Sequence, residues 1–192
     1  MFERYNKVQK AVLETTLRII NEKELQATSM SLIAKESGVS TGSIYHYFSS
    51  KEDIINELFK GIVMFNGEAV MKGVHELDSV QEKFQRAWIN YFRLSLEYPL
   101  GFQFIEQYSF SPYIYQSSKD EAYKGGWCGP MTKIYAEAVQ QQLFIDLEPR
   151  LMVQMHIGTA VYTIKGHLQN YLELTDDDIH RIIQSCWNSV LK

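Results

Sequence analysis

The side chains best suited to chemistry crowd into one stretch, Ser29 to Lys51. Ser40, Thr41, Gly42 and Ser43 are small, so a helix starting there brings its backbone close to another molecule. The N–H groups of a helix start have no partner within the helix and point at anions. Tyr45 and His46 follow on the exposed side, each an apolar ring with a polar edge, while Ile44 and Phe48 turn inward. Ser49-Ser50-Lys51-Glu52-Asp53 opens another helix, with acidic residues in the first turn where the dipole favours them. Such groups recognise a partner by hydrogen bonding; nothing among them makes or breaks a bond.

Bond-making sets are missing elsewhere too. The chain has no G-x-S-x-G, P-loop, dinucleotide fingerprint or H-E-x-x-H, and no cysteine–histidine pair at a recognisable site. His156 and His167 share one helix face, three turns apart, without an evident third metal ligand. Cys128 and Cys186 stand alone, which disfavours a disulfide framework or zinc module and fits a reducing cytoplasm. No catalytic residue, cofactor or metal is expected, and the protein reads as a non-enzyme.

Helical periodicity positions these groups, and strand signals are nearly absent. Val8, Ala11, Val12, Thr15 and Ile19 recur at three- and four-residue spacing, with Leu13, Leu17 and Ile20 widening the stripe. Ser29 caps a second helix that buries Leu32 and Ile33 and stops at Gly38. A short third runs from about Ser40 to Phe48. The fourth continues from Ser49-Ser50 into the low seventies, weakened by Gly61, Gly67 and Gly73. Ser79-Val80-Gln81-Glu82 is a capping box for a helix ending before Pro99. Pro99 and Pro112 each suit the start of a short helix. Lys124–Pro130 is the clearest break; helices over Met131 to about Asp146, about 149–171 and about 175–191 complete the chain. The expectation is an all-α fold of about nine helices.

Length and charge narrow the class. At 192 residues the chain can bury a real core without a staple. No apolar run reaches the roughly 18 to 20 residues of a membrane span, and the charged N-terminus is no secretory signal, so a soluble cytoplasmic protein is expected. The net charge of −4 argues mildly against nucleic acid, but residues 1–60 carry eight basic and eight acidic groups and are neutral. Two short helices joined by Ser37-Gly38-Val39-Ser40 fit a helix-turn-helix or an ordinary helical hairpin, and spacing alone leaves both open.

The string from Thr28 to Glu52 closely resembles the TetR family of bacterial transcriptional regulators. The Ile33-Ala34 pair, the Gly38-Val39-Ser40 turn, Gly42-x-x-Tyr45 and the Phe48-x-x-Lys51-Glu52 exit all match in register. The resemblance covers roughly residues 4–64; beyond them only length and helical pattern fit. Where the family usually has His before the Phe, this chain has Tyr47, with His46 one position earlier. The family's Gly-Phe before the second helix is here Glu24-Leu25.

The resemblance implies a domain over residues 4–64, with its helix-turn-helix motif at 29–48, and an effector-binding and dimerisation domain over 65–192. It implies a homodimer that places each third helix in a major groove, with half-sites about 34–36 Å or a multiple apart. Ser40, Thr41, Gly42 and Ser43 would meet bases and phosphates, and Tyr45, His46 and Tyr47 backbone and base edges. Lys51 and Ser29, at helix starts, would hold phosphates. One reading comes from the residues alone: the third helix contains no Arg, Lys, Asn or Gln, so bidentate contacts to guanine or adenine cannot come from it.

Residues 91–127 hold eleven aromatics. In a TetR-like protein this region surrounds the inducer pocket, and aromatics with a few hydroxyls suit a flat or lipophilic small molecule; the other reading is plain core. Phe92, Phe102, Phe104, Tyr108, Phe110, Tyr113, Trp127 and Tyr162 are the ligand-contact candidates, with Glu106 and Gln107 beside them. Met152, Met155, Gly158, Thr159, Tyr162 and Gly166, with Ile179, Ile182, Ile183, Cys186 and Val190, give the last two helices stripes that suit a partner subunit or an internal core. The function expected is a transcriptional regulator, a repressor released from a palindromic double-stranded operator by a small lipophilic or aromatic effector. The alternative is a helical small-molecule-binding protein without operator binding.

Overall fold

A computed structural model describes the backbone of residues 1–125 and 128–192, and the side chains of all of these except 122–125. Ten helices run through the described residues: α1 (Lys7–Lys23), α2 (Met30–Ser37), α3 (Thr41–Tyr47), α4 (Lys51–Met71), α5 (Val80–Glu97), α6 (Pro99–Tyr108), α7 (Gln116–Gly125), α8 (Cys128–Gln140), α9 (Pro149–Leu168) and α10 (Asp176–Ser189). The architecture is all-α, and the sole bridge among the described residues pairs Phe144 with Leu191.

Local chemistry sets the boundaries. Asn6, Ser79 and Thr175 each close a capping box, with Gln9, Glu82 and Asp178 returning the bond. Gly38 ends α2 in the left-handed region, at φ +68°, where a side chain would be strained. Pro99 opens α6, but Pro112 lies in a turn and the next helix starts later, at Gln116. α7 escapes hydrophobic periodicity because the buried position on its described face is a serine, Ser118. The glycine-rich break is narrower than its composition suggests, since Gly125 ends α7 and Cys128 already begins α8. α8 also stops sooner than expected, at Gln140, where Gln142 turns to a φ of 60°.

Packing divides the chain into two compact units, Met1–Phe65 with Leu100–Ala122, and Asn66–Pro99 with Tyr123–Lys192. This division departs from a cut at residue 64, because Phe104, Tyr108 and Ile114 bury themselves in the same core as Leu13, Ile33, Ile44 and Phe48. Burial bears out most of the α1 stripe: Val12, Leu13, Leu17, Ile19 and Ile20 face inward, joined by Thr16, while Val8, Ala11 and Thr15 stay half-buried. The Thr16 hydroxyl is satisfied by donating to the Val12 carbonyl at 2.7 Å. Asn56 of α4 ties the return segment in place. Its amide donates to the Tyr113 carbonyl at 3.1 Å, and its oxygen accepts the Tyr115 N–H at 2.8 Å.

The second unit is built on rings. Phe84, Trp88, Tyr135, Phe144 and Trp187 pack at centroid separations of 4.8 to 6.3 Å, mostly edge to face. A polar chain threads them. Trp88 Nε1 donates to the Tyr135 hydroxyl at 3.0 Å, and that hydroxyl meets His156 Nδ1 at 2.5 Å. His156 Nε2 reaches the Ser189 hydroxyl at 3.2 Å, which donates to the Cys186 carbonyl at 2.8 Å. Every donor finds an acceptor if His156 is the neutral Nε2–H tautomer. No described helix is long and apolar enough to cross a membrane.

Candidate nucleic-acid interface

Anchoring comes first at the helix-turn-helix. Ile33 of α2 and Ile44 of α3 are fully buried, and Phe48 follows just after α3. With these three in the core, α3 must turn Thr41, Gly42, Ser43, Tyr45, His46 and Tyr47 to the surface, and all six are exposed. Tyr45 is 52% exposed. The His46 and Tyr47 rings meet edge to face at 4.8 Å.

The hydroxyls at the helix starts are capping groups. Ser29 accepts the Leu32 N–H at 3.2 Å and contacts the Ser31 hydroxyl at 3.0 Å. Ser40 accepts the Ser43 N–H at 3.1 Å, and the two hydroxyls lie 2.8 Å apart. At the start of α4, Ser50 accepts the Asp53 N–H at 3.1 Å while the Asp53 carboxylate takes the Ser49 N–H at 3.1 Å and its hydroxyl. Lys51 reaches back to the Leu25 carbonyl at 3.4 Å, so its ammonium is held beside the head of the motif. Ser29, Ser40, Thr41, Gly42, Ser43, Tyr45, His46, Tyr47 and Lys51 thus all belong to the first compact unit, with no catalytic constellation among them.

The aromatic candidates are not gathered in this way. Phe102, Phe104 and Tyr108 are core residues of the first unit and Phe92 of the second. Burial raises the pKa of the Tyr108 phenol, which is bonded to the Leu25 backbone. Phe110 and Tyr162 are 83% and 80% exposed, Tyr113 is exposed, and Glu106 and Gln107 also face outward. Trp127 lies outside the described residues. Composition signalled aromatics here without revealing which faces they take.

The final helices hold a groove that sequence reasoning missed. About 710 Å³ of space lies along α9 and α10, lined by Met155, Thr159, Leu172, Leu174, Ile182 and Cys186 among others. The two stripes divide around it: Met152, Ile179, Ile183 and Val190 point into the unit's core, while Met155, Ile182 and Cys186 line the groove and Tyr162 is exposed. His156, on its wall, is 3% exposed, and burial pulls its pKa down to about 4. His167 is occupied elsewhere, accepting the Leu174 N–H at 3.2 Å. Burial pushes the Cys128 and Cys186 thiols up to about 11, so neither is a nucleophilic thiolate at neutral pH.

This arrangement has close counterparts. Residues 12–58 match the family described as bacterial regulatory proteins, tetR family, and residues 79–191 match the tetracyclin repressor-like C-terminal domain. The regulator BetI of Vibrio campbellii is 35% identical over 66 residues, 34% of this chain and 33% of that protein, so the match spans about a third of that relative's length. The fatty acid metabolism regulator protein of Bacillus subtilis is 27% identical over 161 residues, 83% of this chain and 82% of that one. A TetR family transcription regulator from Marinobacter aquaeolei superimposes with a TM-score of 0.89 at 22% identity, covering 100% of both chains. Bacillus subtilis FadR in complex with stearoyl-CoA gives 0.75 at 24% identity, covering 95% of this chain and 97% of that one. With both domains matched in order, and the motif anchored as its spacing requires, the chain belongs to the TetR family of bacterial regulatory proteins.

Proposed function

We propose that this protein is a dimeric, cytoplasmic repressor that binds a pseudo-palindromic operator and is released by a small lipophilic effector. The observation that carries the reading is the reading head itself. Ile44 and Phe48 are core residues, and their burial leaves Thr41, Ser43, Tyr45 and His46 displayed on one exposed surface. Residues 4–64 form the DNA-binding domain. Residues 65–192 supply effector binding and pairing, with 100–122 packed into the first compact unit. Ser29, Lys51 and the start of α4 hold phosphates, while α3 lies in the major groove.

The pairing face is α9 with α10. Support comes from the open groove and from Leu151, Met155 and Tyr162, large apolar residues exposed along one side of α9. The lipophilic class of the effector is supported by the aromatic richness of 91–127 and by the stearoyl-CoA bound to Bacillus subtilis FadR. Long-chain acyl-CoA is therefore the first compound to test. The effector acts by preferring the arrangement of the dimer in which the two reading helices miss the groove spacing.

Selection of source-genome fragments on purified, refolded protein tests the reading beside a Tyr45→Ala, Lys51→Ala double variant. One palindromic site recovered by the wild type alone is the expected result, with its retention weakened at least tenfold by micromolar stearoyl-CoA. Binding of acyl-CoA without any enriched site would favour a ligand-binding protein that does not act on DNA.

A further inference from the structure

Resting on the operator-binding reading above, we propose that α3 reads A·T base pairs, through thymine methyl groups, single hydrogen bonds and groove shape, and makes no guanine-anchored contact. The argument begins with what the exposed surface lacks. No Arg, Lys, Asn or Gln occurs between Gly38 and Ser50, and these are the side chains that pair bidentately with guanine or adenine edges. Lys51, the next cation along the chain, is turned to the Leu25 carbonyl at 3.4 Å.

Part of the remaining polar capacity is already spent. The Ser40 and Ser43 hydroxyls are bonded to each other, and Ser40 also accepts the Ser43 N–H. Among the described residues none hydrogen-bonds the Thr41 hydroxyl or the Tyr45 phenol, and both side chains are exposed. Each couples one hydroxyl to an apolar surface, a methyl or a ring, that suits the thymine methyl. His46, its ring set against Tyr47, offers single hydrogen bonds and no fork.

Gly42 adds an independent observation. A Cβ built there meets nothing within 4 Å, and the backbone is not in the left-handed region. Nothing inside the molecule calls for glycine at this helical position, where glycine is less favourable than alanine. Its use is external: it leaves no side chain at this position of the first turn of α3, between the short Thr41 and Ser43, so the backbone there can come close to the groove floor. Close approach is what short hydroxyls and a methyl need to reach base edges.

The experiment selects sites from a random duplex library with full-length refolded protein, then measures affinity for the consensus with single-atom changes. The expected consensus has A·T pairs at the positions under α3. Replacing those thymines by uracil, which removes only the methyl, should weaken binding three- to tenfold, and 7-deazaguanine at any guanine under α3 should change it less than twofold. Gly42→Ala should lower affinity at least tenfold while leaving the thermal midpoint unchanged or raised, an outcome that a purely structural role of Gly42 would not produce. A consensus anchored on guanine under α3, with tenfold loss on 7-deazaguanine, overturns the proposal and leaves operator binding intact. Failure to enrich any sequence overturns operator binding itself.

Discussion

Two buried polar side chains carry consequences at the scale of single residues. Asn56 satisfies the Tyr113 carbonyl and the Tyr115 N–H, two backbone groups that lose their partner if it is truncated. Leaving buried polar groups unmet costs about 1–3 kcal/mol, so Asn56→Ala is expected to lower stability by about 2–3 kcal/mol in urea unfolding, with far-UV helicity retained below the transition. An unchanged midpoint would show that water replaces the amide. His156 behaves differently. Its pKa is held down to about 4 by burial against an ordinary 6.5, so the unfolded chain binds a proton that the folded chain refuses. Stability contributed this way is full above about pH 6.5 and lost as pH falls toward about 4, on the order of 2–3 kcal/mol. His156→Gln should flatten that part of the stability–pH curve, and the same slope in wild type and variant would assign it to other groups.

At the scale of elements, caps were the most legible feature, because a cap depends on residues three apart in sequence. Ser79 with Glu82 takes the bonds its spacing predicts, and Thr175 with Asp178 makes the same reciprocal pair. Thr175→Ala should cost about 1 kcal/mol, read as a lower thermal midpoint, and Thr175→Ser should recover most of it. The turn at Gly38 was equally legible, since a left-handed residue is wanted after a helix end. Faces were less so. The aromatics of α5, α6 and the turn after α6 are visible in sequence, yet whether Phe92 or Phe110 is covered depends on segments far along the chain, and the two lie at opposite extremes. α7 was hidden for the converse reason: Ser118 is the buried residue of its described face, and a serine leaves no hydrophobic period. The reading head was legible because Ile33, Ile44 and Phe48 lie within one local motif and determine what it exposes.

At the scale of the molecule, charge and pairing decide behaviour. The chain carries −4 overall, and Lys35 and Lys51 are the cations that flank the reading helix in sequence. Two per subunit, at about −0.9 each, give a slope of about −4 for log affinity against log salt in a dimer. Titration of operator binding between low and moderate salt measures it, and a slope of about −8 or steeper would mean that many more lysines and arginines reach phosphate. The pairing proposed for α9 and α10 is open to a single change. Tyr162, largely exposed on α9, touches little of its own subunit, so Tyr162→Arg should leave the subunit folded and shift the dimer to monomer in sedimentation analysis. A folded variant that remains dimeric would move the pairing face elsewhere.

The discontinuity of the first compact unit bears on the order in which the protein is made. Phe104, Tyr108 and Ile114 complete the core around Leu13, Ile33 and Ile44, and Asn56 waits for the backbone of Tyr113 and Tyr115. A nascent chain emerging from the ribosome has the whole helix-turn-helix in hand by Met71, yet cannot close its core until some forty further residues have followed. Until then its apolar underside is open. The core beneath the DNA-reading surface is thus finished late in synthesis, and a chain that stalls between Met71 and Ile114 would present that open underside to chaperones and proteases.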